Sequence, residues 1–251
     1  MMKRFALLLL AFALTSSASI VRGPVAPAGG GGGGWAHVQT NGSSQTSSSS
    51  TVALAYTSNV TSGSLLVATV AWGDSTQTIS GVADSLGQTW TQVGSTVTGL
   101  DELGFWRMAV FYKANSGAGA DTVTATFSAA TTYRQISVTE YSGILTASPL
   151  DQTVGQAQDS PGTGTDAVTS TSVTTGQTNE LIYGAAIARS ALGSFDSGTG
   201  FTSRLGQFDG TYVYLRVEDK NLAAAGSTAA TFTVTFATDD TAAIVATFKT
   251  P

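Results

Sequence analysis

An internal duplication constrains this chain more than any other feature. Asn59-Val60-Thr61-Ser62-Gly63 leads into Leu65–Trp72, and Ser172-Val173-Thr174-Thr175-Gly176 leads into Leu181–Ala188. Gln88-Thr89-Trp90-Thr91 is echoed by Thr199-Gly200-Phe201-Thr202. Met108–Asn115 matches Leu215–Asn221, each closing on a Lys and an Asn. Asp121–Phe127 matches Ala230–Phe236, and Tyr133–Tyr141 matches Ala242–Phe248. The motifs recur in one order, so whatever fold the first half adopts must serve the second. The halves run over about 53–143 and 172–250.

The motifs themselves read as strands. Val123, Ala125 and Phe127 alternate with Thr122, Thr124 and Thr126, and Phe232, Val234 and Phe236 with Thr231, Thr233 and Thr235. That period of two gives one apolar face and one threonine ladder, the pattern of an antiparallel sheet with one wet side. β-branched Thr and Val stiffen such strands. Turn chemistry separates them: Ser85-Leu86-Gly87, Asn115-Ser116-Gly117, Asp196-Ser197-Gly198 and Asp209-Gly210. No segment sustains a helical period. The expected fold is all-β, an antiparallel, jelly-roll-like β-sandwich of two repeated halves of about five strands. Residues 35–251 are expected to form one sandwich whose halves pool their apolar faces, because a half of ~90 residues is marginal alone. Two separate domains are the alternative. Gly143–Thr171, with Pro149 and Pro161, then serves as the connector, and the polar stretch Gly42–Thr51 as a loop between the first two strands.

Composition narrows the chemistry. Among 251 residues there are 29 Ser, 39 Thr and 29 Gly, one His, no Cys, and 11% charged residues, against roughly 25% in ordinary soluble domains. Without cysteine there is no disulfide framework, thiolate nucleophile, zinc ribbon or iron–sulfur cluster. A single imidazole, His37, excludes multi-histidine metal sites. The formal charge of −5 lacks the basic footprint that nucleic acid requires. The amino terminus reads as an export signal over residues 1–19: Lys3 and Arg4, the apolar run Phe5–Leu14, then small residues to Ser19. The run is too short to span a bilayer, so no membrane span remains after its removal. Residues 20–34 form a Pro/Gly-rich linker ending in Gly29–Gly34. This glycine run lacks the preceding strand and following helix of a phosphate loop.

Several of these motifs resemble a family of uncharacterised secreted bacterial β-sandwich, jelly-roll-like surface proteins. The resemblance is carried by Ser58–Val67, Asp84-Ser85-Leu86-Gly87-Gln88-Thr89-Trp90, Gly119–Phe127, and Glu140-Tyr141-Ser142-Gly143 with Ser148-Pro149-Leu150-Asp151. It covers roughly residues 36–250. It implies the fold and an extracellular or cell-surface location, and it supplies no catalytic residue.

The residues offer little catalytic chemistry. His37 lies in the first strand, with no Gly-x-Ser-x-Gly elbow elsewhere to supply a nucleophile. The four Glu (Glu102, Glu140, Glu180 and Glu218) form no multi-carboxylate strand motif of the kind a glycosidase needs, and read as solvated or salt-bridged strand residues. No cofactor is expected, although the acidic loops leave room for a structural calcium. Aromatics are the better signal. Tyr212, Tyr214, Arg216 and Glu218 alternate with Val213, Leu215 and Val217, so they should line the face opposite the core; Phe105 and Arg107 hold the matching positions in the first half. Rings beside Arg and Glu suit sugar, although cross-strand pairing, the ordinary stabilising unit of sheets, is the plainer explanation. Two functions follow from this reading. One is a secreted, non-catalytic binding or adhesion module for polysaccharide or cell-surface glycan. The other is a self-assembling structural subunit of a filament, surface layer or matrix, self-associating through its N-terminal arm.

Overall fold

A computed structural model describes residues 34–100, 105–159, 164–189, 193–235 and 240–251. The export signal, most of the linker, Glu102 and Phe236 lie outside the described residues. Among the described residues there is no helix, and every strand pairing is antiparallel.

The first half contains eight strands: β1 (Ala36–Gln45), β2 (Ser49–Ala55), β3 (Leu65–Gly73), β4 (Ile79–Asp84), β5 (Thr91–Thr98), β6 (Trp106–Lys113), β7 (Thr122–Thr131) and β8 (Arg134–Ser142). They form a sheet of order β1-β8-β3-β6-β5 and a second of order β2-β7-β4. The first strand pairs with the eighth, the second with the seventh and the third with the sixth. A long hairpin rolled up on itself has this order, which is the jelly roll.

The second half repeats it. Its strands are β9 (Leu150–Asp159), β10 (Thr165–Thr169), β11 (Val173–Thr174), β12 (Glu180–Arg189), β13 (Ser194–Ser197), β14 (Thr202–Phe208), β15 (Val213–Leu222), β16 (Ser227–Thr228), β17 (Thr231–Thr235) and β18 (Asp240–Phe248). The sheets read β9-β18-β12-β15-β14 and β10-β17-β13. The short β11–β16 pair stands where the first half has only the bridge Val60–Gly119. The duplication is therefore topological as well as sequential, and larger than five strands per half. Gly143–Thr171 is not merely a connector, because β9 and β10 lie within it. Nor is Gly42–Thr51 a loop: β1 continues to Gln45 and β2 begins at Ser49. Ser and Thr pair as readily as apolar residues where a strand edge lies near solvent, and polarity alone conceals them.

Three apolar cores hold the two halves. In the first half, Val123, Ala125 and Phe127 of β7 pack with Leu66, Val70, Trp72, Phe111 and Val138. In the second, Phe232 and Val234 of β17 pack with Ile182, Ala186, Phe195 and Val245. The expectation that these two faces pool into one core is thus corrected; each is closed within its own half. The pooled core is a third one. It is built from the other faces of the two five-stranded sheets, including Leu65, Val67, Met108 and Tyr141 on one side and Leu181, Tyr183, Leu215, Ile244 and Phe248 on the other. Strands β12 and β18 are consequently buried along almost their whole length. Such strands lose the alternation and read as continuous apolar or small runs.

The two halves meet about an approximate two-fold axis, since β1 packs on β14 and β5 on β9, and β14 and β9 are the counterparts of β5 and β1. Gly42 and Gly155, equivalent positions of β1 and β9 by register with β8 and β18, mark the two seams. A Cβ at Gly42 would collide with the Gln207 Oε1, and one at Gly155 with the Val97 Cγ2. Gln207 and Val97 are themselves equivalent, facing Leu215 and Met108 across their sheets.

Candidate functional site

The strip drawn from period-two alternation does not survive packing as one wet surface. Val213, Leu215 and Val217 do face the middle core. The opposite face of β15, however, is roofed by the three-stranded sheet β10-β17-β13. Glu218 is fully buried beneath it, with Oε2 accepting from Gly198 N–H at 2.9 Å and Oε1 from Thr231 N–H at 3.1 Å. Burial pushes its carboxyl up to about 7, against the opposing pull of those N–H donors and of Lys220. Arg216 is half-buried, donating to Ser203 Oγ at 3.0 Å with its guanidinium 5.7 Å from the Phe195 ring centroid. Tyr214 is half-buried and stacks on Phe208 at 4.3 Å. Arg107, in the first half, spends its guanidinium on the carbonyls of Gln77 and Ser75. A strand face that a second sheet overlies is at most partly wet, whatever its alternation.

Two of the expected residues remain open to solvent and belong to one cluster. Phe105 is 41% and Tyr212 39% exposed. Each immediately precedes the equivalent strand of its half, β6 and β15. Rings connect them: Phe105 to Trp106 at 6.2 Å, Trp106 to Tyr133 at 6.3 Å, and Tyr133 to Tyr212 at 4.8 Å between centroids. Exposed Phe208 lies in the same β14–β15 hairpin as Tyr212. The cluster therefore draws on both halves at the end of the sandwich where β6, β8 and β15 begin.

Local chemistry fixes the cluster. Asp209 Oδ1 accepts from the N–H groups of Thr211, Tyr212 and Val213, at 2.7, 2.6 and 3.2 Å. Gly210 supplies the positive φ of +87° that the turn requires. This is the Asp-Gly turn legible in the sequence. Tyr133 was not legible as a site residue. It occupies the β7–β8 turn with φ +51°, where a glycine or asparagine is the usual occupant. A large ring in a tight turn is the one signal that could have drawn attention to it.

The remaining candidates are structural in their surroundings. His37 is half-buried in β1, its Nε2 2.7 Å from Thr40 Oγ1 and its ring edge-on to Tyr141 at 5.7 Å. Burial lowers its pKa, assisted by Arg204 and opposed by Asp219 and Glu140. His37 and Thr40 reach one face because β1 bulges between His37 and Gln39. Glu140 and Glu180 are fully buried, so with Glu218 they overturn the expectation of solvated or salt-bridged side chains. Glu140 accepts from Gln39 Nε2, Thr61 N–H and Ser64 Oγ, tying three chain segments together. Backbone and side-chain donors, rather than cations, satisfy Glu140 and Glu218. Among the described residues no group of three or more His, Asp or Glu side chains is arranged to hold a metal ion.

No protein-family model, no curated protein and no solved structure matches this chain.

Proposed function

We propose that the protein is a non-catalytic binding module for extracellular or cell-surface polysaccharide, exported by the leader pattern over residues 1–19. The observation that carries this reading is the run of rings Phe105–Trp106–Tyr133–Tyr212, exposed at both ends, buried at Trp106, and held at the start of β6, in the β7–β8 turn and in the β14–β15 hairpin. Exposed aromatic rings stack on the apolar face of a pyranose, and their rigidity limits the entropy lost on binding. The half-buried Tyr214 and Arg216 and the buried Glu218 support that frame rather than touch ligand. Affinity electrophoresis in gels containing soluble polysaccharides tests the reading. The parent should be retarded by at least one polymer, and the Phe105→Ala/Tyr212→Ala variant should migrate freely. Its thermal midpoint should change little, since exposed positions contribute on the order of 1 kcal/mol or less. A parent retarded by no polysaccharide sinks the proposal.

A second reading, the self-assembling subunit, draws on β2. Among the described residues this edge strand, Ser49–Ala55, pairs with β7 alone, and it carries no charge and no proline, the features that normally protect an edge from strand addition. Light scattering of the full chain distinguishes the two: ordered particles support assembly, monomers support binding.

A further inference from the structure

We infer that the polysaccharide is a neutral one, and that a short segment of it sits in a cleft between the two halves, where β5 passes β9; this rests on the binding reading above. The cleft has a volume of about 310 Å³ and is lined by residues 94–97 of β5, residues 153–155 of β9 and Ile244 of β18. That volume lies at the lower end of the range for small-molecule sites, roughly 300–1,000 Å³. It suits a sugar or a short oligosaccharide and no bulkier group.

The duplication is broken at this cleft. Val93 and Val97 of β5 face Val110 and Met108, and their counterparts Leu205 and Gln207 of β14 face Val217 and Leu215. Gly94, Ser95 and Thr96 stand between the first pair, but Gly206 alone between the second. The additional residues form a bulge in an edge strand, with Gly94 at φ +57°. A Cβ at Gly94 would come within 3.1 Å of the Thr153 Cγ2, so the bulge lies against β9. At the other seam Gln207 packs over Gly42, and its Nε2 donates to the Ser43 carbonyl at 3.2 Å. One seam is thus closed by a side chain where the other carries an insertion and a cleft.

The lining decides the kind of sugar. No charged side chain contributes to it. Ser95 and Thr96 are exposed on the bulge. Thr96 Oγ1 accepts from Gln92 Nε2 at 3.3 Å and can still donate, and Thr153 Oγ1 donates to the Val245 carbonyl at 2.8 Å and can still accept. These hydroxyls match the mixed donors and acceptors of a sugar, while Val97 and Ile244 offer apolar surface to its ring C–H groups. A sugar carboxylate or sulfate would lose water there with no cation to compensate it, on a chain whose formal charge is −5. The cleft also lies near one end of the ring run. Val97 faces Met108, so Phe105 stands three residues away along the neighbouring strand, about 10 Å. One polysaccharide chain can therefore cross Phe105 and enter the cleft.

The test uses the full chain in affinity electrophoresis, with mixed-linkage β-glucan, galactomannan and pullulan as neutral polymers and alginate and polygalacturonate as acidic ones. The parent should be retarded by a neutral polymer and pass the acidic ones freely. Ser95→Ala/Thr96→Ala should keep the parent melting temperature and lose affinity about tenfold, since two hydrogen bonds to the sugar are removed. Should the double variant fold poorly, Ser95→Ala alone carries the test, with a loss of about threefold. Retardation by the acidic polymers in preference to the neutral ones overturns the inference. So does a folded hydroxyl-free variant with parent affinity, which leaves the binding reading intact and the ring run as its site. If no polymer retards the parent, both fall.

Discussion

The same position in the two halves holds a ring in one and a carboxylate in the other. Phe111 of β6 faces Ala68 of β3, and Glu218 of β15 faces Gly184 of β12. Phe111 fills the first half's own core. Glu218 instead reaches Gly198 and Thr231 in the layer above. Room for it comes from Gly184, where a Cβ would approach the Glu218 Cγ to 2.9 Å. A second exchange lies nearby. Ser64 donates to Glu140 in the first half; by strand register the equivalent positions of the second half hold Glu180 and Thr247, the carboxylate and the hydroxyl exchanged. A duplicated fold thus keeps a carboxylate and a hydroxyl residue at one place while exchanging which segment supplies each.

The comparison is broken most severely by forcing one half to imitate the other. Phe111→Glu removes a buried ring and leaves a carboxylate opposite Ala68, where the second half has glycine. The expected loss is about 4 kcal/mol or more. Because β3 and β6 contribute to both the first-half core and the middle one, calorimetry should show one lowered transition for the whole chain. A second-half transition left at the parent temperature would show that the halves unfold independently.

A smaller effect follows from Glu218 itself. Its carboxyl titrates at about 7 when folded, above the ordinary 4.5, so the folded state holds the proton more tightly than the unfolded one. The resulting stabilisation is complete below pH 4.5 and is lost as pH rises through 7. It amounts to at most roughly 3 kcal/mol. Denaturant titrations between pH 4.5 and 8 should show this downward slope, and Glu218→Gln should flatten it. An equal slope in the variant would assign the effect to another group.

The two seams give the finest test. Gly155→Ala drives a methyl into Val97, which is β-branched and stiff, and into Ile244. It should cost about 1–3 kcal/mol. Gly42→Ala meets the flexible ends of Gln207 and Leu205 and should cost less than ~1 kcal/mol. Equal midpoints for the two variants would mean that side-chain stiffness does not distinguish the seams.

Much of this protein was decided along the chain alone. Alternation in Thr122–Phe127 and Thr231–Thr235, the Asp209-Gly210 turn and the ordered recurrence of motifs determine antiparallel strands, their turns and a duplicated sandwich. These are local properties, because turn chemistry and the side-chain period act over two to four residues. Tertiary structure alone decided which faces meet. Alternation shows that Tyr214, Arg216 and Glu218 share a face, but not that another sheet covers it. Nor does it show that Val123 and Phe232 line separate cores, or that a strained Tyr133 reaches Tyr212 in the other half. Those outcomes depend on contacts between strands far apart in the chain, and burial is a property of the completed stack of sheets.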